Sequence, residues 1–153
     1  MNEQLQQIVV DIENFLPHRK PMLMVDKIIA ISPTYVLCSF AINRDNIFVS
    51  GDFFQEVGLI ENMAQTCSSI VGQTFYDQNY NPISDKRIIG FISAIKQLSI
   101  FNLPKVGANI STDSTLTSQF DGEDYTICTM FVQAKHNEVL LANAEINLFL
   151  KKQ

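Results

Sequence analysis

The segment VSGDFFQEVGLIENMAQ, residues 49–65, holds two carboxylates suited to different work. Glu61 falls inside a helical apolar pattern, flanked by Ile60, Met63 and Ala64. A carboxylate in such surroundings is costly unless it is paired or protonated, and a carboxyl group held there is suited to giving or taking a proton. Gln65 follows one turn later on the same face, within hydrogen-bonding reach of Glu61. Asp52 precedes the helical pattern. The order Asp52-Phe53-Phe54-Gln55 fits a capping box, with Asp at the N-cap and Gln three residues on. It also fits a carboxylate that activates water or attacks an acyl group, or an ordinary loop residue. As a base Asp52 starts poorly, because aspartate titrates near about 3.9 and histidine near about 6.5.

The chain has two histidines and three cysteines. His18, between Pro17 and Arg19, reads as an imidazole that packs the N-terminal turn. It has a direct role only if the fold carries it to the mouth of the site. His136 falls in a turn and should be exposed. Cys38, Cys67 and Cys128 lie far apart, without a CxxC pair, so neither a zinc site nor a disulfide framework is expected. The expectation is a reduced, cytoplasmic protein with no metal and no cofactor.

Hydrophobic residues make up 46% of the chain and charged residues 18%, enough apolar material for a core and too little charge for disorder. A length of 153 residues points to one domain over 1–153. The net charge of −5 argues against nucleic acid as a partner, since phosphate binding relies on clustered Lys and Arg. The pairs Arg19-Lys20, Lys86-Arg87 and Lys151-Lys152 read as solvated surface or as a docking patch for an acidic partner. No stretch reaches the roughly 18 apolar residues of a membrane span. The start, MNEQLQQ, lacks the basic-then-apolar order of a secretory signal. No membrane association is expected.

The elements that must hold these residues follow from periodicity. Leu5, Ile8, Val9 and Ile12 predict a short amphipathic helix over 3–15, ended by Pro17 and Pro21. Strands are predicted over 24–31 and 35–42, joined by the turn Ser32-Pro33-Thr34. A long, largely buried helix is predicted over 53–75 from Ile60, Met63, Ala64, Cys67, Ile70, Val71 and Phe75. Beside that stripe run Glu61, Ala64 or Gln65, Ser68 and Gly72, small or polar residues that let a backbone or a slender ligand come close. Residues 76–87 read as an irregular loop. Four strands follow, over 88–101, 108–120, 125–135 and 138–150, with turns at 121–124 and 136–137. Met22, Met24 and Met63 read as adaptable core. The order implies an α+β domain, an antiparallel sheet around one helix, with open edges that favour dimerisation.

The motifs place this pattern more narrowly. Leu16-Pro17-His18-Arg19 through Met24-Val25-Asp26-Lys27 resembles an LPHR…LLVDR opening. Leu59-Ile60-Glu61-Asn62-Met63-Ala64-Gln65 resembles an LIxEAMAQ helix, and Pro104-Lys105-Val106-Gly107-Ala108 a PVxPGD turn. In this order they resemble the hotdog-fold 3-hydroxyacyl-acyl-carrier-protein dehydratases. A divergent branch from aryl-polyene and related pigment clusters is more similar. Its shortened VG(L/I)E-x-MAQ segment and GFLLG-type strand resemble Val57-Gly58-Leu59-Ile60-Glu61, with an additional residue before Glu61, and Gly90-Phe91-Ile92-Ser93.

The resemblance implies a site at a dimer interface, where a loop His removes the α-proton and a carboxylate on the facing helix of the other subunit handles the departing hydroxyl, so that a heterodimer could keep one working site with a His from the partner. It implies a backbone N–H at the helix start that polarises the thioester carbonyl, and a tunnel for the acyl chain beside the helix. Glu61 matches the carboxylate. The loop His of the family's GHFP is replaced by Asp52 in Gly51-Asp52-Phe53-Phe54, and the loop is contracted. Glu61 and Asp52 are therefore the candidate catalytic residues, and Gly58, Gln65, Gly90 and Phe91 the candidate substrate-binding ones, although Phe91 is also a natural core residue. The implied substrate is a 3-hydroxyacyl thioester on acyl carrier protein, in fatty-acid, aryl-polyene or polyketide-type synthesis. The implied assembly is a homodimer, or a heterodimer with another hotdog subunit. Two alternatives stand beside a dehydratase: a non-catalytic partner of a companion dehydratase, and an acyl-thioester hydrolase using Asp52 or Glu61.

Overall fold

The computed structural model describes residues 6–75 and 90–151. Among the described residues, nine strands and one α-helix follow each other along the chain. Strands β1 (Gln6–Asp11), β2 (Lys27–Ser32), β3 (Tyr35–Ala41), β4 (Val49–Ser50) and β5 (Phe53–Phe54) precede helix α1 (Glu56–Phe75). Strands β6 (Gly90–Ile100), β7 (Asn109–Asp121), β8 (Tyr125–His136) and β9 (Val139–Lys151) come after it. Seven strands make one antiparallel sheet in the order β1-β2-β3-β7-β8-β9-β6. Helix α1 lies against β3, β6, β7, β8 and β9. This is the hotdog fold, an α+β sheet wrapped around one helix.

The alternation that predicted the strands is the alternation that buries them. On β3 the buried residues are Val36, Cys38 and Phe40; on β8, Thr126, Cys128, Met130, Val132 and Ala134. The helix meets them with Leu59, Met63, Cys67 and Ile70, all buried. Full burial of a Leu-sized or Met-sized side chain contributes about 1.5–3 kcal/mol, so this seam is the main anchor of the helix. The β8–β9 turn places Asn137 and Glu138 at φ 47° and 68°, the left-handed geometry of a tight hairpin. Met24 and Met63 are core residues, and Met22 is exposed.

One element differs from the sequence expectation. Residues 6–11 are a strand, and only Ile12–Asn14 turn as a short 3-10 helix. The run Ile8-Val9-Val10 is β-branched and stiff in a helix. It pairs with β2 through Gln6↔Ile31 and Asp11↔Lys27. A helical periodicity carried by so few residues yields to an available sheet edge. The helix α1 also begins at Glu56, three residues later than predicted. The loop predicted over 76–87, the pair Lys86-Arg87, Lys152, and the surroundings of Gly72 and of the Phe75 side chain lie outside what is described.

At one end of the sheet β6 pairs only with β9, so its other edge is free among the described strands. Bulges interrupt it at Ile92/Ala94 and Lys96/Ser99. It exposes Phe91, Ile92, Ile95 and Leu98, with Phe101 just beyond.

Candidate active site

A small hairpin fixes the start of the helix. Strands β4 and β5 pair across Gly51-Asp52, with Gly51 at φ 61°. The turn after Leu103 clamps this hairpin: Phe54 N donates to Pro104 O at 2.9 Å, and Val106 N to Asp52 O at 2.9 Å. The resemblance to a PVxPGD turn therefore has a structural meaning, since the backbone of this turn sets the angle at which the chain enters α1. Gly107, at φ 91°, gives its N–H to Ile42 O at 2.8 Å.

Asp52 is not the helix cap. The first helical bond runs from Leu59 N to Gln55 O at 3.2 Å, so Gln55 holds the N-cap position. The Asp52 carboxylate accepts from Arg44 Nη2 at 3.0 Å on an exposed hairpin tip. It is not among the residues that line the cleft at Glu61. Gly58 is buried, and a Cβ there would sit within the Phe54 ring and against Phe48 Cβ at 2.9 Å. Close packing between helix and hairpin is the reason for glycine at this position.

Glu61 is half-buried three residues further on, just under one turn. Its Oε1 accepts from Gln65 Nε2 at 2.9 Å. Gln65 is buried and spent on more than Glu61: its Nε2 also donates to Met22 O at 2.8 Å, and its Oε1 accepts from Met24 N at 2.7 Å. Asn62 continues the latch, donating to Met24 O at 2.7 Å and accepting from Thr112 Oγ1 at 2.6 Å. The segment around residues 22–24 is thus fastened to the helix by side-chain amides, each satisfied on both ends as buried polar groups must be.

That fastening brings His18 to Glu61. The two line a cleft of about 120 Å³ together with Ala64, Gln65, Ser68, Gly90, Ile92 and Leu148. Arg19 stiffens the approach, with Nη1 donating to Leu16 O at 2.9 Å and to its neighbour's carbonyl, His18 O, at 2.8 Å. Burial pushes the His18 pKa below its ordinary 6.5; the negative charge of Glu61 acts against this, and the Arg19 charge adds to it. Among the described residues, His18 Nδ1 is buried without a hydrogen-bond partner.

Gly90 and Ile92 reach the cleft from β6 because alternate residues share a face. Phe91, between them, points elsewhere and is 57% exposed, so it is neither core nor part of this lining. The structure therefore joins Glu61, Gln65 and Gly90, leaves Asp52, Gly58 and Phe91 outside, and adds His18. The signal for His18 was present in the LPHR motif; its destination depends on contacts with Gln65 and Asn62 that spacing does not reveal. His136, expected in an exposed turn, is instead the last residue of β8 and partly buried, with Nδ1 at 2.8 Å from Asn109 O.

The three thiols are buried. Cys38 and Cys67 lie in the core, where burial pushes each thiol up to about 12. Among the described residues, no three His, Cys, Asp or Glu side chains gather as a metal site, and no helix is long and apolar enough to cross a membrane.

A helix cradled in an antiparallel sheet, with a helix carboxylate facing a cleft beside the edge strand, defines a hotdog-fold protein. The chain belongs to the ApeP-like family: the family model, described as ApeP dehydratase, matches residues 10–153. Among solved structures, it is similar to the dehydratase heterocomplex ApeI:P from Xenorhabdus doucetiae, with a TM-score of 0.76 and 17% identity over 94% of this chain and 93% of that one. It is also similar to a hypothetical thioesterase with coenzyme A from Streptococcus pneumoniae TIGR4, with a TM-score of 0.62 and 12% identity over 82% and 85% of the two chains. The PaaI protein of the E. coli phenylacetic acid degradation operon gives a TM-score of 0.59 at 7% identity, over 81% of each chain. At these identities the likeness is one of fold. No curated protein matches the sequence.

Proposed function

We propose that this protein is a dehydratase-like hotdog subunit that takes 3-hydroxyacyl thioesters carried on acyl carrier protein, in fatty-acid or aryl-polyene and polyketide-type synthesis. The observation that carries the reading is the Glu61 cleft, which opens between the helix and the edge strand. Glu61 is the acid that protonates the departing hydroxyl, and Gln65 holds its carboxyl oriented. The acyl tail continues along the helix. A second cavity of about 260 Å³ begins at Ile70 and Val71, within a turn of Ser68; it is lined by apolar residues such as Leu116 and Met130, with Gln119, Asp121 and Thr126 also in its wall, and supports such a path. Membership of the ApeP-like dehydratase family supports the reaction class.

The free, apolar edge of β6 favours a second reading of the same molecule, as one half of a pair. A hotdog subunit docked there would continue the sheet through backbone hydrogen bonds and cover Phe91, Ile95 and Leu98. The likeness to a heterocomplex supports a companion of different sequence. Because Gly90 and Ile92 belong to both the edge strand and the cleft, that companion also completes the wall of the site.

The test uses purified protein with 3-hydroxyacyl and enoyl thioesters, alone and with the companion hotdog dehydratase from its gene neighbourhood. Interconversion of the two thioesters is expected, and its loss in Glu61→Gln. Conversion only in the mixture assigns this chain the partner's part. Release of free thiol in place of enoyl product would make the protein a hydrolase.

A further inference from the structure

We propose that His18 is the general base of this site, an imidazole supplied from the segment ahead of β2 in place of the one missing from the loop before the helix. The inference rests on the dehydratase reading and adds the residue that reading lacks. At the loop position stands Asp52, turned to Arg44 on the surface. His18 instead lines the Glu61 cleft. Its Nδ1 is buried without a partner among the described residues. Leaving a buried polar nitrogen unpaired costs about 1–3 kcal/mol, and such groups in native proteins mark catalytic or ligand sites. Among the described residues no acceptor commits the tautomer, so the ring is held by its backbone and by packing.

The holding is firm on both sides. Upstream, Arg19 bonds to the carbonyls of Glu13, Leu16 and His18. Downstream, Gln65 and Asn62 bind the backbone of Met22 and Met24. A base must meet its proton at hydrogen-bond range, and this double anchorage fixes the ring against the helix that carries the acid. Desolvation keeps the imidazole neutral near pH 7, the form that accepts a proton. The groups facing it are Glu61 from the helix and Arg19 from its own segment.

The step balances as follows. His18 takes a proton from C2 of the 3-hydroxyacyl thioester. The electron pair of that bond forms the C2–C3 double bond as C3–O breaks. The Glu61 carboxyl gives its proton to the leaving hydroxyl, which departs as water. The proton on His18 then passes to Glu61, and the pair returns to its starting state with one proton shared between them.

The test compares wild type, His18→Gln and Glu61→Gln, each with the companion subunit present if conversion requires it. His18→Gln should lower kcat by about a hundred- to ten-thousand-fold while leaving the fold and the affinity for an enoyl thioester nearly unchanged. The low-pH limb of the kcat/KM profile should also disappear. A second route avoids the variant. The chain has only two histidines, so in His136→Gln any imidazole reactivity belongs to His18. Diethyl pyrocarbonate, applied before the companion is added, should inactivate that protein, with protection by enoyl thioester and recovery with hydroxylamine. Full activity in His18→Gln beside a dead Glu61→Gln overturns the base and leaves the dehydratase reading standing. No conversion by wild type, alone or mixed, overturns both.

Discussion

Gln65 ties Glu61 to the segment that carries His18: its Nε2 donates to Glu61 Oε1 at 2.9 Å and to Met22 O at 2.8 Å, while its Oε1 accepts from Met24 N at 2.7 Å. One amide thus orients the acid and latches the chain that delivers the imidazole. Sequence spacing predicted only the first of these bonds, because only it is local to the helix.

Gln65→Leu should therefore be damaging twice. It strands the N–H of Met24 in a buried site, and a buried group left unpaired costs about 1–3 kcal/mol. It also frees the Glu61 carboxyl to rotate. Urea unfolding should show the stability loss. Turnover should fall further than the folded fraction accounts for. Gln65→Glu keeps the acceptor for Met24 N but sets a second carboxylate against Glu61 and the Met22 carbonyl, so it should not rescue. Unfolding midpoints equal to wild type in both variants would mean that the latch does not hold in solution.

His18 gives the protein a pH dependence of definite sign. Burial lowers its pKa in the folded state, so the unfolded chain binds that proton more readily. Stability rises with pH wherever the unfolded state holds more protons. The contribution is complete above the unfolded value of 6.5 and is lost as pH falls through 6.5 toward the folded pKa. Unfolding midpoints of wild type and His18→Gln, followed across that window, should diverge on the acid side, with the variant flatter. Parallel curves would remove the buried imidazole from the account.

Where residues declare their surroundings locally, the fold was legible. Alternation marks β8 and β9, and the repeat from Ile60 to Ile70 marks α1. The carboxylate and Gln65 share a helix face, so their bond was legible too. What escaped depends on distant partners. Residues 6–11 joined β2 because its edge was open. Asp52, a cap by pattern, fell on a hairpin tip because the Pro104 turn clamps that hairpin ahead of the helix. Phe91, apolar and so a natural core residue, lies exposed on the strand that ends the described sheet. His18 reached the site through Asn62 and Gln65, bonds that span most of the first half of the sequence.

Gly58→Ala offers a test of the helix entrance. On helix propensity alone, alanine should stabilise by about 1 kcal/mol. The added methyl has nowhere to go, since Phe54 is fully buried and its ring occupies the space. Overpacking of this kind costs about 1–3 kcal/mol, so steric conflict should win or at least cancel the gain. Thermal and urea unfolding would decide it. A clearly stabilised Gly58→Ala would show that the hairpin can move away from α1.

The edge of β6 separates the two sides of the functional proposal. Phe91 and Leu98 are partly exposed in the single chain, 57% and 39%. Replacing either by Lys removes little from the isolated fold, and exposed substitutions usually shift stability by about 0.5 kcal/mol or less. Lysine on a sheet edge is also a device that blocks strand addition. Phe91→Lys and Leu98→Lys should therefore unfold close to wild type when alone, yet weaken association with the companion hotdog subunit by about tenfold or more, equivalent to about 1.4 kcal/mol. Sedimentation of the mixed proteins reads the association, and thioester conversion by the same samples reads the site. If the complex weakens while conversion by this chain alone persists, the cleft works without a partner. If both fail together, Gly90 and Ile92 need the neighbouring subunit to hold the cleft wall in place.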